Sequence, residues 1–372
     1  MSDVVLISLE PWDDVWRRNQ HFATTALQRD PHLRLLVVEP DHDALHDLTR
    51  HRRPRMGARL ANLSPAESTF AERVWRWSAT KFLPRRLDRG YDARWAGQVG
   101  RAAARLGFDR PVLWVNDPRG AAVAQRTGWP TLYDITDDWL AAQRTPAEHA
   151  RLVADEDYLL NHSAQVTVCS PGILATKTGD SPISLITNGV DPSHWRTPRD
   201  RPADLPERAA LYVGTLHEDR LDIPLVVATA TALADSATVT FVGPNALTPQ
   251  STSALLDAGV VLLGPRPYAD LPGYLQHAAV SIAPHLVNEF TDSLDPIKLY
   301  EYLAAGRPIV STPIAGFRDR AEVTVAHGPD FAEAVRNALT TGDRSTYVAD
   351  DLPTWQSQGE QFALALDEAV CG

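Results

Sequence analysis

The sequence predicts two doubly wound α/β domains, each built on a parallel sheet. Short apolar or β-branched runs alternate with helix-length segments along all 372 residues, a length that exceeds the about 150 residues of one typical domain. A stretch rich in proline and arginine, residues 194–208, interrupts this alternation. We expect an interdomain linker there, between a first domain at 1–195 and a second at 205–350. Strands separated by helix-length segments favour parallel pairing with right-handed crossovers.

Ten strands follow from the apolar runs. In the first domain they are predicted at Val4–Leu9, Leu33–Val38, Val112–Val115, Thr131–Tyr133 and Gln165–Cys169. In the second domain they are predicted at Ala209–Val213, Thr238–Val242, Val260–Leu263, Val280–Ala283 and Pro308–Ser311. Ligands of doubly wound sheets bind outside the carboxyl ends of the strands, so the functional residues are expected just after these runs.

Composition excludes several classes of protein. A hydrophobic fraction of 44% and a charged fraction of 22% are typical of globular domains. The formal net charge of -11 disfavours nucleic acid as a partner. Only Cys169 and Cys371 are present, which argues against a disulfide framework and fits a reducing cytoplasm. No basic region precedes the apolar run at Val4–Leu9, and no run is long enough to span a bilayer, so a cytoplasmic location is expected.

Common catalytic motifs are missing from the sequence. No glycine follows the first predicted strand, which disfavours a dinucleotide-binding dehydrogenase. A P-loop, a His-Glu-x-x-His pair and a Cys-x-x-Cys pair are also absent. The twelve histidines are scattered, and none is assigned a role.

The densest group of candidate residues lies in the segment 288–311, whose pattern predicts a loop, then a helix and then a strand. Ser293 or Asp295 is expected to cap the helix, Gly306 to end it and the next strand to follow. The exposed helix N-terminus suits a diphosphate. Lys298, one of three lysines in the chain, is placed to reach the same phosphates. Glu301, on the same helix face, can accept two hydroxyl hydrogen bonds from a ribose.

The run Lys298–Val310 resembles the nucleotide-sugar motif of retaining GT-B glycosyltransferases, especially the group 1 (teichuronic-acid-type) branch. Four further blocks occur in the order of that family, so the resemblance covers most of the chain: Leu132–Trp139, Val168–Gly172, Thr187–Asp191 and Tyr212–Leu216. The resemblance implies two Rossmann-like domains facing a cleft, with the segment Thr354–Val370 packing back on the first domain. It also implies transfer of a sugar from a nucleoside diphosphate sugar to an acceptor hydroxyl, with retention of configuration.

The resemblance also implies roles for individual residues. Glu301 matches the ribose-binding glutamate. Lys298 and Arg220 match two basic residues that contact the diphosphate. Ser293 replaces an acidic residue that contacts the donor sugar in many members, and Asp292 and Glu289 are possible substitutes. Many members carry a histidine after the strand at Thr131–Tyr133, where this chain has Asp137 and Asp138, which we expect to face the sugar. The remaining donor-side candidates are Leu294, Gly214, Thr215 and Arg266.

Each of these roles has a structural alternative. Asp137 and Asp138 could cap a helix that starts near Trp139. Arg220 could be a surface arginine paired with the acids around it, Glu218, Asp219 and Asp222.

Two segments of the first domain are candidates for acceptor or membrane contact. Trp16, Arg17 and Gln20 follow the first strand and could touch the acceptor or the donor, although the tryptophans could instead pack under a helix at Arg17–Arg29. Phe70–Arg86 interleaves aromatic and basic residues and predicts a basic amphipathic helix, which could lie on an anionic membrane or simply bury its apolar face.

No cofactor and no metal are expected beyond the nucleotide-sugar co-substrate, because two fixed cations and a helix N-terminus can balance a diphosphate. The acceptor stays open among a cell-envelope glycan, a lipid-linked sugar and a secondary metabolite. A sugar-nucleotide epimerase of the same fold and a non-catalytic sugar-binding protein are the alternative functions.

Overall fold

The computed structural model describes residues 3–13, 15–49, 56–83, 85, 87–141, 144–340 and 351–371. The chain forms two units, Met1–Thr187 with Gln356–Gly372, and Asn188–Trp355. The division therefore falls before the predicted linker, and residues 194–208 belong to the second unit. One reason is that Trp195, inside this stretch, is fully buried in the core of that unit, where tertiary packing outweighs a polar local composition.

The first unit is built on an eight-stranded sheet. Its strands are β1 (Val4–Ile7), β2 (Leu35–Val38), β4 (Ala61–Asn62), β5 (Val74–Trp77), β7 (Val112–Val115), β8 (Thr131–Ile135), β9 (Gln165–Val168) and β10 (Ile183–Leu185), while β3 (His42–Asp43) and β6 (Thr80–Lys81) form a separate pair. The order in the large sheet is β10-β9-β8-β7-β1-β2-β5-β4, and all its pairs are parallel except β4 with β5.

The described part of this first unit contains seven α-helices. They are α1 (Arg18–Arg29), α2 (Ala44–Thr49), α3 (Tyr91–Arg105), α4 (Ala121–Thr127), α5 (Pro146–His162), α6 (Pro171–Thr176) and the C-terminal helix α14 (Trp355–Cys371), which joins the unit from Gln356 onward. The ring of Phe362 in α14 stacks on Phe22 of α1, with 4.8 Å between the ring centroids. The last helix thus buries its apolar face against the first one.

The predicted helix at Phe70–Arg86 is wrong. A short 3-10 turn at Ala71–Arg73 leads into β5, and β6 follows; Pro84 and Arg86 lie outside the described residues. Val74 and its aromatic neighbours suit a strand, which pairs in parallel with β2; Val74 is buried there, and Trp75 and Trp77 are partly buried. The Arg73 guanidinium donates to the carbonyls of Leu27, Asp30 and Leu33 at 2.8 to 3.1 Å rather than facing solvent. The described residues of this segment therefore do not form the amphipathic helix that suggested membrane contact.

The second unit is built on a six-stranded parallel sheet. Its strands are β11 (Ala209–Val213), β12 (Thr238–Val242), β13 (Val261–Gly264), β14 (Val280–Ala283), β15 (Ile309–Ser311) and β16 (Val323–Val325), in the order β13-β12-β11-β14-β15-β16. Its helices are α7 (Pro192–Arg196), α8 (Ile223–Leu233), α9 (Pro249–Asp257), α10 (Leu271–His277), α11 (Glu289–Asp292), α12 (Ile297–Ala305) and α13 (Pro329–Ala338).

Two apolar layers cover the faces of this second sheet. One layer includes the buried side of α12 and Trp195, and the other lies under α8 and α13. Because β11 and β14 are neighbours at the centre of the sheet, their carboxyl ends open on the same edge. The loops that follow these two strands, together with α12, therefore meet there.

Candidate active site

A group of basic and aromatic side chains lies at the carboxyl ends of β11 and β14. The Lys298 ammonium, on the first turn of α12, donates to the Tyr212 hydroxyl at 2.5 Å and lies 4.0 Å from the centroid of the Tyr212 ring. The same nitrogen is 3.4 Å from Nε2 of His285, which directly follows β14. Tyr212 and His285 are both buried. These contacts hold the ammonium in a fixed position.

The surroundings of Lys298 disfavour its charge. Burial, followed by the nearby positive charge of Arg220, lowers its pKa from 10.5 to about 7, and Glu301 opposes the shift. The other two lysines each form ion pairs: Lys81 with Asp43 at 2.7 Å, and Lys177 with Asp138 at 2.8 Å. Within the described residues, Lys298 has no carboxylate partner within 4.0 Å. Among the described residues, the site therefore holds a cation with no carboxylate in direct contact.

Arg220 is held beside this lysine by the loop after β11. Its carbonyl accepts from the Leu286 amide at 2.8 Å, which ties the loops after β11 and β14 together. Its guanidinium lies 5.4 Å from the centroid of the Phe290 ring. Of the acids that could have paired with it, Glu218 accepts from the Thr248 amide at 2.7 Å, and Asp222 caps α8. The buried Nε of Arg220 has no hydrogen-bond partner in the part of the chain that the structure describes.

Glu301 lies one turn after Lys298 on α12. Burial raises the pKa of its carboxyl group from 4.5 to about 7, and the charge of Lys298 opposes the shift. A half-buried carboxylate of this kind gains stability from any donor that reaches it. Two vicinal hydroxyl groups, such as those of a ribose, can supply that pair of hydrogen bonds.

Gly214 leaves room for the lysine. Its φ of +143° is a backbone conformation that favours glycine, and a Cβ atom built there would lie 3.0 Å from the Lys298 ammonium. The next residue, Thr215, is half-buried, and its carbonyl accepts from the Tyr212 hydroxyl at 3.4 Å. These two predicted donor-side residues therefore adjoin the lysine through backbone atoms rather than through a polar side chain.

The loop before α12 differs in detail from the prediction. Neither Ser293 nor Asp295 caps the helix, because Pro296 is the N-cap residue and no side chain caps it. The Ser293 hydroxyl is buried and donates to the Phe290 carbonyl at 2.8 Å. Asp295 accepts from the Asn188 amide at 2.5 Å and so anchors the start of the second unit. The predicted helix end at Gly306 is confirmed, with a left-handed φ of 70°.

The other predicted donor-side residues are spread more widely. Asp292 forms an ion pair with Arg318, Glu289 is exposed, and Leu294 is buried. Arg266, after β13, forms an ion pair with Asp204 at 2.6 Å and donates to the Tyr274 hydroxyl at 2.9 Å. Within the described residues, none of these contacts joins them to Lys298.

Sequence reasoning missed His285 and Tyr212. Burial, followed by the charges of Lys298 and Arg220, lowers the pKa of His285 well below 6.5, so the imidazole is neutral at pH 7. Its position directly after a central strand could have pointed to it, because that edge of a parallel sheet carries the ligand site. Tyr212 gave no such signal, since a tyrosine inside a strand usually belongs to the core.

In the first unit, Asp138 has a structural role. Its carboxylate accepts from the Lys177 ammonium at 2.8 Å, and Lys177 also donates to Glu156 at 2.7 Å. All three side chains are largely buried. The predicted helix near Trp139 is wrong, because the next helix, α5, starts at Pro146, although Asp138 does accept from the Leu140 amide at 3.2 Å.

The candidates for acceptor contact also turn out to be partly structural. The Gln20 side chain is buried, donates to the Asp13 carbonyl at 2.7 Å and accepts from the Arg17 amide at 2.9 Å. Arg17 forms ion pairs with Glu10 and Asp13, both at 2.9 Å. Trp16 is 37% exposed, but its ring lies 5.1 Å from the ring of His21 in α1, so it contacts this helix without being buried under it.

The described residues contain no group of three His, Cys, Asp or Glu side chains that could hold a metal ion. In the same described residues, no helix is both long enough and apolar enough to cross a bilayer.

Comparisons with known proteins agree with this geometry. Residues 207–341, which carry the whole basic group, match the model of the group 1 glycosyl transferases. A putative teichuronic acid biosynthesis glycosyltransferase of Bacillus subtilis, TuaH, is 23% identical over 263 residues, which are 64% of this chain and 66% of that protein. The alignment thus spans slightly less than two thirds of that relative.

Solved structures match over the full length. Sucrose-phosphate synthase from Thermosynechococcus elongatus gives a TM-score of 0.64 at 17% identity, covering 100% of this chain and 97% of that one. Anabaena HepE in complex with UDP-glucose gives a TM-score of 0.65 at 13% identity, covering 100% and 98%. The chain has the GT-B fold. Residues 207–341 of its second unit match the group 1 glycosyl transferase model, so the predicted resemblance to group 1 glycosyltransferases is confirmed.

Proposed function

We propose that this protein is a glycosyltransferase that moves a sugar from a nucleoside diphosphate sugar to an acceptor hydroxyl group, with retention of the anomeric configuration. The observation that carries the donor assignment is the pair of cations, Lys298 and Arg220, which have no carboxylate partner within 4.0 Å among the described residues. A diphosphate supplies the missing negative charge. Glu301, one helical turn away, is placed to bind the ribose.

The same residues support the chemistry. As the bond from the sugar to the diphosphate breaks, negative charge develops on the leaving phosphate oxygen, and fixed cations stabilise it. The pKa of Lys298, about 7 without a ligand, rises when a diphosphate binds, so the ammonium is charged when the charge develops. The neutral His285 keeps the position of the ammonium without adding a competing charge.

The names of the relatives indicate the nature of the donor and of the acceptor. HepE was crystallised with UDP-glucose, and another structure of similar fold, from E. coli, holds UDP-2-fluoro glucose. We therefore propose a UDP-sugar as donor. The name of the Bacillus relative refers to teichuronic acid, which favours an acceptor from the cell envelope. Metal independence and a cytoplasmic location remain predictions from the sequence.

The test is a transfer assay with UDP-sugars, with and without a panel of acceptors. We expect UDP release that depends on an acceptor, and a product whose anomeric proton coupling in NMR matches that of the donor. An epimerase would instead release UDP or an epimer with no acceptor present, and a non-catalytic binding protein would release nothing. A product of inverted configuration would contradict the retaining mechanism.

A further inference from the structure

A second pocket lies wholly within the first unit, at the carboxyl ends of β1 and β7. These strands are parallel neighbours, and the chain leaves β1 toward β2 on one side before it returns to β7 on the other. This reversal is a topological switch point, the place where doubly wound sheets form a ligand crevice. The cavity has a volume of about 230 Å³, and its lining includes Leu9, Asp117, Arg119, Trp139, Arg151 and Asp155.

Two side chains of α5 face this pocket without partners. Arg151 and Asp155 are one helical turn apart, and within the described residues neither has a hydrogen bond or an ion pair within 4.0 Å. Burial, followed by the neighbouring charges of Asp92 and Asp117, raises the pKa of Asp155 from 3.8 to about 6. A carboxylate in this situation is stabilised by any hydroxyl donor that enters the pocket.

The opposite wall is rigid. The Arg119 guanidinium lies 3.8 Å from the centroid of the Trp95 ring and forms an ion pair with Asp41. Asp117 accepts from the Arg119 amide at 3.0 Å, which fixes the turn after β7. The Arg85 guanidinium is 3.0 Å from the Asp92 carboxylate. Donors and acceptors of hydrogen bonds are thus held in place before any ligand arrives.

The chemistry of the lining selects one class of ligand. Four arginines and four acids line the cavity, a balance of charge that suits neither a polyanion nor a cation. The described residues offer no group of three metal ligands there. A neutral ring with several hydroxyl groups satisfies both kinds of partner, because each hydroxyl donates to a carboxylate and accepts from a guanidinium. The volume is below the about 300 to 1,000 Å³ of sites for larger ligands, so the pocket fits one ring.

We propose that this pocket binds a single pyranose ring, with Asp155 and Arg151 on its hydroxyl groups. If the protein transfers sugars as proposed above, on which this step rests, the ring is the terminal sugar of the acceptor. The acceptor is then a glycan or a lipid-linked sugar rather than an aglycone. Asp155 and Arg151 become specificity-determining residues, a role that sequence reasoning gave to Trp16, Arg17 and Gln20.

The test is saturation-transfer NMR with methyl glycosides of glucose, galactose, N-acetylglucosamine and glucuronic acid at millimolar concentration. We expect at least one of them to bind the wild-type protein. Asp155→Asn and, independently, Arg151→Gln should weaken that binding at least tenfold. Asp157→Asn is the matched control, because this carboxylate lies two residues further along α5 and is exposed. The Asp157→Asn variant should bind the glycoside as tightly as the wild type does.

Two results would overturn the proposal. One is that no glycoside binds the folded wild-type protein, and the other is that Asp155→Asn and Arg151→Gln bind as well as the control. Melting temperatures of all variants, measured in parallel, show whether each is folded. A UDP titration of the same samples separates the sugar-binding pocket from the proposed donor site. UDP binding without glycoside binding refutes only the sugar-binding role of the pocket. Glycoside binding without UDP binding refutes only the donor site.

Discussion

Replacing Lys298 with methionine should make the unliganded protein more stable and its diphosphate binding weaker. Methionine keeps the length and the apolar stem of the side chain but removes the charge. Removing that charge relieves its desolvation and its repulsion by Arg220, which together lower the pKa of Lys298. The Tyr212 hydroxyl loses one donor but still contacts the Thr215 carbonyl at 3.4 Å and His285 at 3.3 Å.

The magnitude follows from the pKa. A fall from 10.5 to about 7 corresponds to about 5 kcal/mol at about 1.4 kcal/mol per unit. Since the side chain is only half-buried and the hydrogen bond to Tyr212 is lost, we expect a net gain of about 1 to 3 kcal/mol. For a unit of this size each kcal/mol raises the melting temperature by about 2 to 4 °C, so the gain is about 2 to 12 °C. The lost contact to the diphosphate, at about 1.5 to 3 kcal/mol, weakens UDP binding about 10- to 150-fold.

The gain in stability has a defined pH dependence. Between pH 7 and 10.5 the unfolded chain binds more protons at Lys298 than the folded protein does, so the wild type becomes more stable as the pH rises. The destabilisation of the folded protein by the Lys298 charge is therefore complete below about pH 7 and disappears toward pH 10.5. The difference in melting temperature between Lys298→Met and the wild type should shrink over the same range.

Differential scanning fluorimetry and UDP titration calorimetry measure both effects. Lys177→Met is the control: burial opposes the charge of this lysine, but its acidic partners Asp138 and Glu156 outweigh burial and raise its pKa, so the lysine is stabilising. Its loss should cost about 3 to 5 kcal/mol and leave UDP affinity unchanged. A Lys298→Met protein that melts at or below the wild-type temperature at pH 6.5, or that binds UDP as tightly, would refute the assignment of a desolvated phosphate-binding cation.

Three further predictions concern the donor site and the first unit. Glu301→Ala should weaken UDP binding about 10- to 150-fold in calorimetry but leave the affinity for inorganic diphosphate unchanged; equal losses for both ligands would contradict a ribose contact. Transfer activity should survive EDTA, and its complete loss with recovery on adding Mg²⁺ would show that the two cations do not suffice. Asp138→Asn should lower the melting temperature with little change in turnover, whereas Asp137→Asn should lower turnover by about 100-fold at an unchanged melting temperature. The reverse pattern would make Asp138 the functional acid.

The local features of the sequence determined most of the secondary structure of the second unit. The strands at Ala209–Val213, Thr238–Val242 and Val280–Ala283 have the predicted bounds, because β-branched and apolar runs of this length bury both faces in a parallel sheet. The position of Lys298 and Glu301 on one helix face also follows from spacing alone. Such features depend on near neighbours in the chain, which a sequence shows directly.

Only the tertiary structure decided which side chains have partners. The sequence cannot show that Lys177 meets Asp138 across 39 positions while Lys298 meets a tyrosine 86 positions away. It also suggested a helix at Phe70–Arg86, where pairing of β5 with β2 prevails. Contacts between residues far apart in the chain decide whether a charge is neutralised. They also decide whether an amphipathic stretch becomes a helix or a strand. Those contacts set the local dielectric environment and the hydrogen bonds, and hence the pKa values on which the proposed chemistry depends.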